Sequence, residues 1–423
     1  MQRGVIRRAS GRPQRGSGVM AALRVGWPGW RAACAVLALG LSACGGSGVS
    51  PVVATRPGAE ATAPAAPAPG TPDASAIGQG SVTVALILPL TGPGAAAGAA
   101  MRNAAELAVA EFQNPDLKVL VKDDRGTPDG ARDAAASALA EGAEIVIGPL
   151  FAGSVQAAAG AVRAAGKPVV AFSTDVSVAG RGVYLLSFLP QPEVDRVVEE
   201  VTGAGRRSFA ALIPETTYGN VVEAQFREAV ARKGGRVVAL ERFPAGNPAA
   251  AVARIAPLVT GPGAQADVLF LPDTPEGLTA TAGALTRAGF NPARVKPVGT
   301  AIWNDPRVFA IPALQGGWFA AVEPGGYANF AQRYRTRFGG EPVRVASLAY
   351  DAVSLAAALN RQYGSQRFAE TTLTNPSGFA GTDGTFRFKA EGPSERALAV
   401  FEIRGGSSAV VSPAPRALGP SGT

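Results

Sequence analysis

The sequence predicts an α/β fold in two lobes, each a parallel sheet with helices on both faces. Three observations predict it: apolar runs of strand length that are continuous rather than alternating, amphipathic stretches between them, and a second series of the same kind after residue 190. Continuous apolar strands are buried on both faces, and strand alternating with helix at this spacing gives right-handed βαβ units.

The first series opens with "VTVALILPL" at 82–90, and "AAMRNAAELAVAEF" at 99–112 follows with Met101, Leu107, Val109 and Phe112 at helical spacing. "LKVLVKDD" precedes a helix from Asp129, "AEIVIGP" precedes one from Ser154, and "KPVVAFS" closes the series. Asp129, Ser154 and Asn220 carry N-cap chemistry ahead of helical runs. After "FLPQPEVDRVVEEV", strands are predicted at 208–214, 236–243, 266–272 and 295–300. "GTFRFKAEG" and "RALAVFEIRG" read as an antiparallel hairpin, and residues 405–423 as a disordered tail.

The formal charge of +8 is uneven along the chain. Residues 1–43 carry seven arginines and no acid, so the remainder stands at +1. A near-neutral body gives no electrostatic reason to expect a nucleic-acid partner. After Arg31 comes "AACAVLALGLSAC", too short for a membrane span of about 20 residues and the length of a signal-peptide apolar region. Met20 is an alternative start, since "MAALRVGWPGWR" is itself a compact basic leader. Leu41-Ser42-Ala43-Cys44 resembles the lipobox of bacterial lipoproteins, which implies cleavage before Cys44 and its acylation with lipid such as palmitate. Gly45 next to it resembles the pattern of export to the outer membrane. Residues 45–80, small, polar and proline-rich, read as a tether.

Catalytic chemistry has few carriers. Histidine is absent, and Cys34 would leave with the signal, so Cys44 alone would remain. Histidine triads and bases, thiolate zinc sites and disulfides are thereby excluded from the mature chain. "IVIGPLFAGSV" at 145–155 has the glycine spacing of a phosphate loop at Gly148 and Gly153, but no Lys before Ser154. It reads instead as strand, tight Gly-Pro turn and helix. No cofactor or metal is expected, and the chain is read as a non-enzyme.

The segments "ALILPLTGPGAAAGAAMRNAAELAVAEF", "DDRGTPDGARDAA", "GAEIVIGPLFAGSV", "KPVVAFSTDVSVAG", "IPETTYGN" and "YDAVSLAAAL" resemble, in this order, the type I periplasmic-binding-protein family, leucine-binding-protein-like. "GPLFAGSV", "AFSTDVSVAG" and "YDAVSLAAAL" resemble most the branch of penicillin-binding-protein activator lipoproteins. The resemblance implies two Rossmann-like lobes and an interlobe cleft over 81–404. Lobe one would hold 81–190 and 317–372, and lobe two 191–316 and 373–404. It implies a periplasmic lipoprotein that binds a class A penicillin-binding protein and regulates peptidoglycan synthesis. The alternative is the receptor of an ABC importer, partnered by its permease, for an amino acid or similar small polar solute.

Ligands of open α/β sheets sit beyond the carboxyl ends of the strands. Residues placed there are Thr91, Phe151 and Ser154, the last at a helix terminus receptive to anions. Ser173 and Thr174 match the family's position for ligand carboxylate and ammonium contacts, and also fit turn chemistry. Asp175, Glu215 and Asp273 are candidate partners for an ammonium, or solvated loop charges. Tyr218 and Trp303 would wall an apolar side chain, or pack their own loops. Asp123 and Asp124 read as a strand end and turn.

Overall fold

The computed structural model describes residues 76–112 and 116–418. The segment read as a signal, Cys44 and most of the stretch read as a tether lie outside these residues.

The chain begins with β1 (Ala76–Ile77), β2 (Val82–Leu88), α1 (Ala95–Phe112), β3 (Leu117–Asp123), α2 (Pro128–Ala140), β4 (Ile145–Ile147), α3 (Ala152–Ala164), β5 (Val169–Ala171) and β6 (Val183–Leu185). They form one sheet in the order β1-β3-β2-β4-β5-β6, parallel except for β1. Side-chain alternation divides β2 between two cores. Val84, Leu86 and Leu88 enter one cluster, while Ala85 and Ile87 enter the other with α2 and α3. Both faces are dry, which is why the strand reads as an unbroken apolar run.

The second lobe contains α4 (Pro190–Gly203), β7 (Ser208–Pro214), α5 (Thr217–Arg232), β8 (Arg236–Phe243), α6 (Ala249–Val259), β9 (Val268–Phe270), α7 (Pro275–Arg287), β10 (Lys296–Gly299), α8 (Pro306–Phe309) and β11 (Trp318–Ala321). In β7, Ala210 and Leu212 face the core with α6 and α7, while Phe209, Ala211 and Ile213 face that with α4 and α5. Phe226 stacks on Phe270 in the latter core, with ring centroids 4.7 Å apart. Two helices start on threonines rather than on the residues expected from sequence. Thr127 caps α2, so Asp129 falls in its first turn, and Thr216 caps α5, so Asn220 lies inside it.

The chain then returns to lobe one as α9 (Pro324–Phe338), α10 (Ala346–Tyr363), α11 (Glu370–Leu373), β12 (Phe379–Gly381), β13 (Gly384–Phe388) and β14 (Ser394–Arg396). It ends in lobe two as β15 (Ala399–Arg404) and β16 (Ser407–Ser412), giving a sheet in the order β16-β15-β11-β10-β9-β7-β8.

This path moves two of the expected lobe boundaries. Trp318–Ala321 pairs with β10 and β15, so the second crossing follows it at 322–323 rather than preceding residue 317. Phe386 and Phe388 bury themselves in the lobe-one core, so the third crossing falls at 397–398 rather than after 372. The expected hairpin divides there as well: β13 pairs with β14, and β15 with β11 and β16. Alternating Phe386 and Phe388 commit one strand to the first core, and alternating Ala399, Phe401 and Ile403 commit the other to the second. Two segments read as irregular are strands. Ala76–Ile77, at the end of the predicted tether, pairs with β3, and Ser407–Ser412, in the predicted tail, pairs with β15.

Candidate functional site

The three crossings converge on a cavity of about 710 Å³ between the lobes. Phe188 and Leu189 of the first crossing, Val322 of the second and Leu398 of the third line it. Lobe one contributes Thr174, Asp175, Ser187, Arg344 and Arg396, and lobe two contributes Glu193, Tyr218, Val221, Ile302 and Asn304. The wall is mainly apolar with a few polar groups, the usual character of a small-molecule site. A second cavity of about 490 Å³ shares Gln191, Ser394 and Arg396 with it, but much of its lining is closed ion pairs such as Arg387 with Glu395 and Arg232 with Asp195.

Of the residues placed in the cleft from sequence, the structure brings Thr174, Asp175 and Tyr218 to the cavity. Asp175 is exposed, and hydrogen bonds from the Ser177 hydroxyl and from its backbone N–H, the latter at 2.9 Å, lower its pKa. The Tyr218 hydroxyl lies 2.6 Å from Thr300 Oγ1, and burial raises its pKa. Ser173 sits one residue back and is buried, with its hydroxyl accepting the Asp175 N–H at 3.1 Å. It shapes the turn that presents Thr174 and Asp175.

The other expectations place differently. Thr91 is exposed and donates to Asp123 at 2.6 Å, and that carboxylate also accepts the backbone N–H groups of Leu90, Thr91 and Arg125. Asp123 therefore organises a turn, as its sequence position implies. Phe151 occupies the N-cap of α3 without a side-chain cap bond and is 37% exposed outside the cavity wall. Ser154 lies in the first turn of that helix rather than at its cap, buried with its hydroxyl toward Asp124. The anion-receptive terminus expected there does not open into the cavity. Gly148, whose φ is +91°, makes the turn before it, where a Cβ would lie 2.1 Å from the Ile87 carbonyl oxygen. Among the second-lobe loops, Trp303 is fully buried and donates its indole N–H to the Leu271 carbonyl at 2.9 Å. It belongs to the core beneath the sheet rather than to the cleft. Asp273 is buried against the start of α7 and accepts the Thr274 N–H at 2.8 Å, and Glu215 is an exposed loop residue.

Sequence reasoning missed the three most strongly constrained charges of the cavity wall. Glu193, in the first turn of α4, accepts the Ala301 N–H at 2.9 Å, and burial pushes its carboxyl up to about 7. Arg344 is held by Asp383 through both terminal nitrogens, with its guanidinium 4.1 Å from the Tyr327 ring centroid and 4.4 Å from that of Phe188. Arg396 is 8% exposed on β14. The one available signal was the order Pro190, Pro192, Glu193 in "FLPQPEVDRV", since prolines followed by an acid mark the first turn of a helix.

The arrangement can enclose a small molecule between two lobes linked by three crossings, with charge of both signs on an apolar wall. A model of the periplasmic binding protein family matches residues 81–407. A putative branched-chain amino acid ABC transporter protein from Rhodospirillum rubrum is 22% identical, with a TM-score of 0.69 over 78% of this chain and 100% of that one. A branched-chain amino acid ABC transporter periplasmic ligand-binding protein from Burkholderia xenovorans is 18% identical, with a TM-score of 0.60 over 78% of this chain and 94% of that one. A solute-binding protein from R. palustris, solved with benzoate, is 20% identical, with a TM-score of 0.52 over 79% and 98% of the two chains. No curated protein matches the sequence. With its paired parallel-sheet lobes and a family match over most of its length, the chain belongs to the periplasmic binding proteins, with the type I, leucine-binding-protein-like fold.

Proposed function

We propose that the protein is the solute-binding receptor of an ABC importer, delivering a small organic solute to a permease. One observation carries this reading: a mainly apolar cavity of about 710 Å³ is walled by both lobes and touched by all three crossings. A solute that contacts both lobes stabilises their closed arrangement by its differential affinity. The ABC transporter names of the similar solved structures support this reading over regulation of a peptidoglycan synthase, which the motif resemblance favoured.

Thermal unfolding against leucine, isoleucine, benzoate and 4-hydroxybenzoate tests it. A ligand at about 100 times its Kd adds roughly 2.7 kcal/mol, which raises Tm by several degrees. A flat response to this and to wider solute panels, together with retention of a class A penicillin-binding protein in pull-down, would transfer the function to synthase regulation. We further propose that lipid on Cys44 holds the protein at the outer membrane. Loss of labelled palmitate from Cys44→Ala and its persistence in the wild type support anchoring, and an unlabelled wild type rejects it.

A further inference from the structure

The cavity lies at the carboxyl ends of the lobe-two strands, where Tyr218 follows β7 and Ile302 follows β10. The amino ends of the same strands carry a row of arginines. Arg206 and Arg207 precede β7, Arg236 opens β8 and Arg294 precedes β10. Hydrogen bonds hold the row in place. Arg206 Nη1 donates to the carbonyls of Asp267 and Arg294 at 3.1 and 3.5 Å, Arg207 Nη1 to that of Lys233 at 3.3 Å, and Arg236 Nε to Ser208 Oγ at 3.3 Å. The ion pairs at this end belong to other residues: Lys233 pairs with Glu199, while Lys296 and Arg404 share Glu402. Arg206, Arg207, Arg236 and Arg294 close no ion pair among the described residues. The acid beside them, Asp267, turns its Oδ2 to the backbone N–H groups of Arg207 and Ser208 at 3.2 and 3.1 Å. Four arginines against one acid leave this end cationic.

Helix capping accounts for part of the row. Lys233 is the C-cap of α5, so Arg207 meets the negative end of that helix. Arg236 and Arg294 donate to no helix end and are exposed. The corresponding end of lobe one is mixed: Asp116 and Glu144 stand there with Lys118, Lys167 and Arg367, and Glu144 pairs with Arg367.

The length of the row decides what it fits. β8, β7, β9 and β10 are neighbours in the sheet, so the row crosses three strand spacings, roughly 15 Å. That is too long for one small anion and suits an array of them. Guanidinium forks pair edge-on with phosphate oxygens, and a lipid surface presents phosphates as an array. A bilayer is also the anionic surface that the anchoring proposed above would keep within reach.

We propose that the arginine end of lobe two docks on an anionic phospholipid surface, with Arg236 and Arg294 against the phosphates. The cavity, at the opposite ends of the strands, stays clear of the bilayer.

Vesicle cosedimentation tests this with residues 45–423, which keep every described element and lack both Cys44 and the basic leader, so the outcome is separate from that of anchoring. The protein is expected to sediment with phosphatidylcholine vesicles holding about 30% phosphatidylglycerol, to leave vesicles of phosphatidylcholine alone in the pellet without it, and to be released at about 500 mM salt. Arg236→Gln with Arg294→Gln is expected to weaken partitioning about five-fold per arginine, about 25-fold for the pair. Arg132→Gln with Arg163→Gln, which lowers the net charge equally on α2 and α3 of lobe one, is expected to stay within about two-fold of wild type. An unchanged Tm keeps the first pair a test of docking rather than of folding. Equal sedimentation with both kinds of vesicle, or equal losses from the two pairs, overturns the proposal. Retention on peptidoglycan sacculi without binding to anionic vesicles overturns it too, and gives the row to an anionic polymer.

Discussion

Glu193 Oε2 accepts the Ala301 backbone N–H at 2.9 Å, joining the first turn of α4 to the loop after β10 within the cavity wall. That single bond ties the entry of the chain into lobe two to a loop that also faces the ligand space. Burial outweighs the hydrogen bond and raises the carboxyl from its ordinary range to about 7. A folded-state pKa above the unfolded one means that the folded protein holds a proton which the unfolded chain releases. The stabilisation is then complete below the unfolded value and lost as pH rises through about 7.

The prediction concerns Glu193→Gln, which keeps an acceptor for Ala301 and removes the titration. Its stability relative to wild type is expected to improve between about pH 5 and about pH 8 by about 1 to 3 kcal/mol, with partial exposure holding it to the lower part of that range. Asp351, Asp124 and Asp273 are raised as well and slope the wild-type curve in the same sense, so the difference between the two proteins isolates Glu193. Denaturant unfolding across this range measures it, and parallel curves would remove Glu193 as the source.

A second prediction concerns the knot beneath the cavity. Asp383 is fully buried and accepts from both terminal nitrogens of Arg344 and from Ser347 Oγ at 2.8 Å. It fastens the start of α10 to the turn between β12 and β13. Arg344→Met removes one partner and leaves a buried carboxylate, which costs about 3 to 5 kcal/mol. Arg344→Met with Asp383→Asn leaves no unpaired charge and is expected to recover a large part of that loss. Chemical denaturation of the two variants checks the coupling, and additive losses would show that the pair does not act as a unit.

How much of this was legible follows from locality. The long strands at 82–88, 117–123 and 208–214 announce themselves because burial on both faces writes an uninterrupted apolar run. Val183–Leu185 and Trp318–Ala321 span three and four residues, too short for any period, and exist only because a neighbouring strand pairs with them. The cavity wall is less legible still. Nothing local distinguishes Arg396 from the other arginines. Its burial comes from Phe188, more than two hundred positions earlier, and from Phe386 on the adjacent strand. Tyr218 and Thr174 were accessible because they directly follow strand ends, where open α/β sheets place their sites.

Trp303 obeys the same positional rule and yet turns inward, and the reason is Gly299. A Cβ at Gly299 would lie 2.1 Å from the Trp303 indole, so the glycine makes the seat on which the ring rests while its N–H reaches Leu271. Gly299→Ala is therefore expected to displace the indole and destabilise lobe two by about 1 to 3 kcal/mol, the cost of overpacking a filled core. Tryptophan emission should shift to the red as the ring leaves its dry site. Trp303→Phe, which removes the hydrogen bond but keeps an aromatic ring, should lower Tm while changing ligand affinity less than about two-fold, because the residue does not line the cavity. A substantial loss of affinity in a folded Trp303→Phe protein would return Trp303 to the binding surface.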